Sequence, residues 1–157
     1  MRQASTFGER AGYVWPELIA RWADDLEVQE PAQEADLKRA EESLGEPLPP
    51  GLRRLLAEFN GLADCYGTDL IWPADQMAET NAEFRESLSF AKLYGPFGDL
   101  VFFGDNGGGD QFALRRGDVD GPIVVWDHET DSRTVVAESL QEYLVRALES
   151  DGEGWYR

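Results

Sequence analysis

The spacing of apolar residues changes once along the chain, and this change limits the fold more than any other feature of the sequence. Up to about residue 88, apolar residues recur at i, i+3, i+4 and i+7, the spacing of one helix face. Between Leu100 and Ala137 they form short runs and alternations that are typical of strands. Helices followed by consecutive strands indicate an α+β fold.

Four helices and one short strand are predicted in the first half. Their apolar stripes are Trp15, Leu18, Ile19, Trp22 and Leu26; Leu37, Ala40 and Leu44; Leu52, Leu55, Leu56 and Phe59; and Met77, Phe84 and Leu88. Gly45 is expected to end the second helix in the left-handed conformation, and Asn60-Gly61 the third. The strand covers Leu70 to Trp72, and the helix after Pro73 extends to Leu88.

Four consecutive strands are predicted in the second half. They are Leu100–Phe103, Gln111–Arg115, Ile123–Trp126 and Arg133–Ala137. Because the connections are too short to contain a crossover helix, the strands should be antiparallel. A capping box of Ser139 and Glu142 begins the closing helix. The predicted fold is α+β: a single domain over residues 13–157, with N-terminal helices and a C-terminal helix packed on a mostly antiparallel sheet, and an N-terminal arm over residues 1–12.

The net charge restricts the partners of such a chain. Its 157 residues include 31 acidic residues and 14 Lys and Arg residues, a formal net charge of −17. Affinity for nucleic acid depends on Lys and Arg, so direct nucleic-acid binding is not expected. An anionic membrane surface would repel the chain as well. A protein with a basic face is favoured, because opposite charge raises encounter rates by about 10–1000-fold.

Two further observations bear on the compartment. Cys65 is the only cysteine, so an intramolecular disulfide cannot form. No stretch approaches the roughly 20 apolar residues of a membrane-spanning helix, and the first dozen residues lack the apolar core of a signal peptide. These features favour a cytoplasmic protein.

The segment Gly104 to Asp110 is dense in glycine and invites comparison with three known sites. A phosphate-binding loop needs lysine after its second glycine, where this chain has Asp110. A calcium loop needs oxygen side chains where Gly107 and Gly109 stand. A dinucleotide fingerprint needs a helix after the loop, but the next residues are strand-like. We therefore predict a tight hairpin in which Asp105 and Asn106 bond to nearby amides.

His128 is the only histidine, and it lies in the polar segment Asp127 to Ser132. A catalytic triad would need Ser132, but residues of one turn rarely have competent geometry, and no nucleophile elbow is present. A metal site with Asp127 or Glu129 is unsupported, because adjacent residues of an extended chain point to opposite sides. We predict a turn histidine that bonds to neighbouring carboxylates or amides. No enzyme, cofactor, metal or small-molecule substrate is expected.

Tryptophan residues leave two interpretations open. Trp72 and Trp126 lie at predicted strand ends, where an exposed ring edge would make an interface anchor. Large aromatic side chains in strands more often pack into a core. Trp155-Tyr156, near the C-terminus, either folds back as a cap or forms a mobile tail.

Three segments share their order and spacing with the signatures of a known family. Leu44 to Gly61 contains Leu-Gly, Leu-Pro and Asn-Gly pairs around a leucine-rich helix. Phe102 to Ala113 combines an apolar strand, a glycine turn and Gly-Asp-Gln-Phe. Val125 to Ala137 precedes the closing helix. Together they resemble the SUKH superfamily, the Smi/Knr-type domain, over about residues 33–148.

The resemblance implies an α+β domain whose role is not enzymatic. Bacterial members of the family are immunity proteins that bind and neutralise a toxin, often a nuclease. Fungal relatives regulate cell-wall synthesis and signalling through protein contact. The short single-domain chain fits the bacterial interpretation better.

The favoured hypothesis is an immunity protein that covers the active surface of a basic toxin. The expected contact residues are Trp72, Asp105, Asn106, Asp110, Trp126, Asp127, His128 and Glu129. Their carboxylates would mimic phosphates and pair with Arg and Lys of the toxin. Toxin specificity could instead lie in the helix Asp75 to Leu88. The alternatives are a cytosolic regulatory or scaffold module, and a hydrolase or metal-binding protein that uses His128.

Overall fold

The computed structural model describes residues 11–150 and 154–156. Within these residues the chain forms six α-helices and two antiparallel sheets. The helices are α1 (Ala11–Arg21), α2 (Glu34–Leu44), α3 (Pro50–Glu58), α4 (Ala74–Glu86), α5 (Leu88–Leu93) and α6 (Leu140–Glu149). The strands are β1 (Leu26–Val28), β2 (Leu62–Asp64), β3 (Asp69–Ile71), β4 (Leu100–Asp105), β5 (Gln111–Arg115), β6 (Ile123–Trp126) and β7 (Arg133–Ala137). The α+β single-domain prediction is confirmed.

The second sheet is the predicted meander. Its strand order is β4-β5-β6-β7, each strand antiparallel to the next, and three of its four strands have the predicted bounds. The first sheet has the order β1-β2-β3. Of its strands only β3 is predicted from the sequence. All three strands are too short for an alternation to be visible, and only β3 was indicated by an apolar run, Leu70 to Trp72.

The two sheets meet where β3 approaches β4. The Trp72 amide donates a 2.7 Å hydrogen bond to the Phe103 carbonyl. Beside it, the backbone of Leu70 lies so close to Gly104 that a Cβ atom there would overlap the Leu70 carbonyl. Only glycine permits this approach. The glycine therefore positions the end of β4, and with it the loop that follows.

Asn81, buried in α4, covers another part of the free edge of β4. Its Oδ1 atom accepts from the Phe102 amide at 2.8 Å, and its Nδ2 atom donates to the Phe102 carbonyl at 2.9 Å. The side-chain amide thus occupies the place of a neighbouring strand. Because buried backbone groups need partners, this contact satisfies an edge that the meander leaves open.

Helices α2 and α6 bury their apolar stripes. Leu37, Ala40 and Leu44 of α2 are buried, and Gly45 ends the helix with a φ of 78°. In α6 the Ser139 hydroxyl accepts from the Glu142 amide at 3.0 Å, as the capping box requires. The Glu142 carboxylate reaches the amide of Glu138, one residue before the cap.

The predicted C-terminal ends of two helices are wrong. Helix α1 ends at Arg21, because the chain tightens into a 3₁₀ turn (Ala23–Asp25), and Leu26 begins β1. Helix α3 ends with Phe59 in an extended conformation rather than with a left-handed Asn60-Gly61. The side chain of Asn60 instead accepts from the first amide of α4, that of Ala74, at 2.8 Å.

The fourth predicted helix is divided in the structure. Extended backbone at Ser87 ends α4, and Leu88 opens α5 as an exposed residue instead of packing in the core.

Of the predicted N-terminal arm, residues 11 and 12 belong to α1, and the rest lies outside the described residues. No helix among the described residues is long and apolar enough to cross a membrane.

Candidate partner-binding surface

The glycine loop, Gly104 to Asp110, is the hairpin predicted from the sequence. Asp105 Oδ1 accepts from the Gly107 amide at 2.7 Å, and Asn106 Oδ1 accepts from the Gly108 amide at 2.8 Å. Gly107 and Gly109 have φ values of 82° and 113°, which disfavour a side chain. The two polar side chains therefore act as templates for the backbone of the loop.

Asp105 also fixes the loop to the core. Its Oδ2 atom accepts a 2.7 Å hydrogen bond from Trp72 Nε1. Trp72 is only 1% exposed, so the expectation of an accessible ring edge is wrong at this position. The indole nitrogen needs an acceptor when it is buried, and Asp105 supplies one. Trp72 thus holds the loop from beneath.

Asp110 is the polar centre of the surface and is only 1% exposed. Its Oδ1 atom accepts from the His128 backbone amide at 3.2 Å and lies 2.8 Å from His128 Nδ1. Its Oδ2 atom accepts from Tyr156 at 3.2 Å and from Asn106 Nδ2 at 3.3 Å. Asn106 Nδ2 also donates to the Tyr156 hydroxyl. A buried carboxylate with this many donors holds three segments of the chain together.

His128 is the turn histidine predicted from the sequence, bonded to a carboxylate. The hydrogen bond with Asp110 raises the pKa of His128 above its usual 6.5, against a smaller opposing effect of desolvation. The imidazole lies over Gly109, where a Cβ atom would come within 2.8 Å of the ring. The side chain remains 38% exposed. One face of the His128 imidazole therefore stays within reach of a partner.

The polar turn, Asp127 to Ser132, is shaped by its first residue. Asp127 Oδ1 accepts from the Glu129 amide at 2.8 Å and from the Thr130 amide at 3.3 Å. The Asp127 amide donates to the Ser132 carbonyl at 2.9 Å, which closes the turn. Glu129 is exposed at its tip. The glycine loop and the polar turn, which His128 and Asp110 connect, are together called the loop edge below.

Trp126 precedes the polar turn and is only 3% exposed, so the expectation of an exposed anchor is wrong here too. Its Nε1 atom donates to Asp131 Oδ1 at 2.8 Å. Burial opposes ionisation of Asp131, but hydrogen bonds from the Gly95 amide, Trp126 and Arg133 together lower its pKa. This carboxylate ties the polar turn to the segment after α5.

A metal ion is a chemical alternative for the same cluster. Contrary to the expectation from an extended chain, the turn brings ligand atoms of Asp127, His128 and Asp110 within 4.8 Å of one another. Both oxygens of Asp110 already receive hydrogen bonds from two groups each. A cation would have to displace these donors. The geometry is explained by the hydrogen bonds that join the two loops.

The His128–Asp110 pair resembles the base and orienting carboxylate of a catalytic triad. Among the described hydrogen bonds, however, the imidazole is bonded to Asp110 and not to a serine or cysteine side chain. Ser132 Oγ, the candidate nucleophile, accepts from Thr130 Oγ1 at 3.0 Å. The pair fastens one loop to the other.

The eight predicted contact residues therefore differ in accessibility. Trp72, Trp126 and Asp110 are buried; Asp105, Asn106, Asp127 and His128 are partly buried; and Glu129 is exposed. The structure brings Asn106, Asp110, Asp127 and His128 into one cluster, whereas Trp72 and Trp126 lie beneath it as supports. Glu129 and the outer face of His128 remain exposed to solvent.

Two residues of this region, Asp131 and Asn81, were not singled out from the sequence. Asp131 has a φ of 62°, and Asn81 bonds to the edge of β4. Neither residue belongs to a sequence motif with a recognisable spacing. Tyr156, near the C-terminus, bonds to Asp110, while Trp155 stacks on Phe112 with ring centres 5.7 Å apart. Residues 154–156 thus fold back as a cap, one of the two predicted alternatives.

Exposed negative charge also lies outside the loop edge. Helix α4 carries an acidic ridge of four exposed residues, Asp75, Glu79, Glu83 and Glu86. No ion pair among the described residues involves any of the four. The loop-edge carboxylates, in contrast, are largely occupied by internal donors. The ridge is therefore the more available negative surface.

The fold and the loop edge define an α+β domain in which the prominent polar side chains organise loops. Residues 31–146 match the model of the SMI1 / KNR4 family (SUKH-1). The match covers most of the chain, and the chain belongs to this family. Membership supports an immunity or cell-wall-related domain that acts through contact with another protein. No curated protein is similar enough to the chain to count as a relative.

Proposed function

We propose that this protein is a non-catalytic immunity protein that binds a basic toxin domain and covers its active surface. Two features support this proposal. Internal hydrogen bonds fix the loop edge, and the chain carries a large excess of negative charge. A nuclease toxin must present a basic face to its own polyanionic substrate. A protein of net charge −17 is complementary to such a face.

The loop edge supports this role because it is organised before any partner arrives. Asp105, Asn106 and Asp110 form the hydrogen bonds that fix the glycine loop, and His128 joins it to the polar turn. A preorganised surface loses little conformational entropy on binding, and this raises affinity. Glu129 and His128 are the members of the edge that a partner touches.

Affinity capture tests the function directly. The protein is immobilised and exposed to extract of cells that carry its gene, over a series of salt concentrations. We expect one strongly basic protein whose recovery falls as salt rises, because screening weakens attraction between opposite charges. The captured protein should lose its toxic activity when this protein is added. Recovery of a neutral or acidic partner at all salt concentrations contradicts the proposal.

Glu129 provides the matched test of the loop edge. Glu129→Lys should reduce capture of the basic protein, because it places like charge at the contact. Asp24→Lys changes the charge by the same amount on the exposed 3₁₀ turn before β1 and should reduce capture less. Equal effects of the two substitutions would show that net charge, and not the loop edge, governs binding.

A further inference from the structure

We infer that α5, together with the acidic ridge of α4, is a docking surface for a protein that presents apolar side chains flanked by Lys and Arg. The inference rests on the proposed function and assigns it a second contact region. The apolar side chains of α5 form the surface, and the charges of the ridge determine which occupant it accepts.

Helix α5 keeps two leucines out of the core. Leu88 is 80% exposed and Leu93 is 69% exposed, the highest values among the large apolar residues of the described chain. Phe90, within this short helix, and Tyr94, directly after it, pack against the core. Phe90 lies 4.9 Å from Phe84 between ring centres, and Tyr94 lies 5.0 Å from Trp126.

Helix α5 is anchored at both ends, so its exposed leucines have defined positions. The Ser87 hydroxyl caps the helix by accepting from the Phe90 amide at 3.2 Å. At the other end, Arg133 donates to the Gly95 carbonyl at 2.9 Å, and the Gly95 amide donates to Asp131 at 2.9 Å. The fold thus fixes two solvated leucines in place. Exposed apolar side chains on a fixed segment offer a partner apolar surface to bury.

The acidic ridge lies on the helix that immediately precedes α5 in the chain. Its members recur at intervals of four, four and three residues, so they lie on one face of α4. The opposite face is buried through Ala74, Met77, Asn81 and Phe84. Glu86, the last ridge residue, stands two positions before Leu88. The C-terminal end of the ridge is therefore next to the first exposed leucine along the chain.

The charges decide between the candidate occupants. A second copy of this chain would bring another row of four carboxylates against the first, and like charges oppose that pairing. An apolar partner without basic residues would leave the ridge uncompensated. A protein that surrounds apolar side chains with Lys and Arg satisfies both parts of the surface.

The surface is continuous with the loop edge. Asp131 belongs to the polar turn and bonds to Gly95, two residues after the end of α5. Trp126, which precedes the turn, packs against Tyr94. A partner seated on α5 would thus extend toward Glu129. One toxin face can contact both regions.

A defined probe tests the surface without the toxin. The probe is a fluorescent synthetic helix with a row of leucines bordered on each side by lysines, and its binding is followed by anisotropy. The double substitution Leu88→Ser with Leu93→Ser should weaken binding by about tenfold or more, because the apolar contact is lost. Val119→Ser removes a 62% exposed apolar residue of the β5–β6 connection and should leave binding unchanged.

Charge reversal tests the ridge in the same assay. Glu79→Lys with Glu83→Lys should weaken the probe by about tenfold or more, and more than Asp24→Lys with Asp25→Lys on the 3₁₀ turn. Hydrogen exchange of the unmodified protein should show protection by the probe within residues 75–93. Protection elsewhere, or equal effects of the ridge and control reversals, overturns the inference.

Probe binding and toxin capture test the docking surface and the proposed function separately. If the probe avoids α5 while a basic toxin is still captured, the docking surface is wrong and the function stands. If the probe docks on α5 but no toxin is captured, the surface stands and the function is wrong. Sedimentation of the protein alone should show a monomer; a dimer that Leu88→Ser dissociates would identify a second copy as the occupant and overturn the inference.

Discussion

The indole nitrogen of Trp72 donates a 2.7 Å hydrogen bond to Oδ2 of Asp105. Trp72 follows β3 of the first sheet, and Asp105 is the last residue of β4 in the second. The contact therefore joins the two sheets at the base of the glycine loop. A tryptophan that the sequence offered as an interface anchor instead supports the loop from inside the fold.

Asp105→Ala should lower the free energy of unfolding by about 1–3 kcal/mol, because it leaves the buried Trp72 nitrogen without an acceptor. It also removes the acceptor of the Gly107 amide. Urea unfolding followed by tryptophan fluorescence measures the change. Glu79→Ala, an exposed carboxylate with no described ion pair, is the control and should have little effect. Equal stability of the two variants would show that the Trp72–Asp105 bond is not a support.

Gly104→Ala should lower the free energy of unfolding by about 1–3 kcal/mol or more, because its methyl group overlaps the Leu70 carbonyl. Gly98→Ala is the matched control, since a Cβ atom there meets no neighbour within 4 Å. The control should be neutral or slightly stabilising. Thermal unfolding of both variants by circular dichroism distinguishes them. A Gly104→Ala protein as stable as Gly98→Ala is incompatible with the close approach of β3 and β4.

Asn81→Ala should be among the most destabilising substitutions of a polar residue in this chain. It leaves the Phe102 amide and carbonyl without their side-chain partner in a buried place. Each buried unsatisfied group costs about 1–3 kcal/mol. Urea unfolding measures the loss, and hydrogen exchange should show faster exchange of the Phe102 amide. Unchanged exchange at Phe102 would contradict the role assigned to Asn81.

The His128–Asp110 contact predicts a pH dependence with a defined sign. The pKa of His128 is raised above 6.5 in the folded protein by Asp110. The contribution of the pair to stability is therefore fully present below about pH 6.5 and is lost as pH rises through the folded-state pKa. NMR titration of the only imidazole follows this pKa directly. Asp110→Asn should lower the pKa, and an unchanged value would contradict the pairing.

The order of elements was predictable because the hydrophobic pattern is strong where elements are long. The β5 and β6 bounds and the stripes of α2 and α6 follow from spacing and from local caps such as Ser139. The elements that were missed are short. Strands β1 and β2 have three residues each and α5 has six, too few for a periodic signal.

The contact residues were predictable as a neighbourhood but not by role. Both polar segments do meet, and the internal bonds of Asp105 and Asn106 were expected from turn chemistry. Burial of Asp110 depends on Tyr156, which lies 46 residues away in sequence. No local pattern records such a contact. The two interpretations of Trp72 and Trp126 stayed open because a strand end does not by itself distinguish a rim from a core; both residues are buried.

Growth protection directly measures whether this protein neutralises a basic toxin. Cells that express the captured basic protein alone should stop growing, and co-expression of this protein should restore growth. Protection should weaken with Glu129→Lys more than with Asp24→Lys, because only the former lies on the loop edge. If growth arrest persists when the two proteins are present together and bound, this protein does not neutralise the toxin.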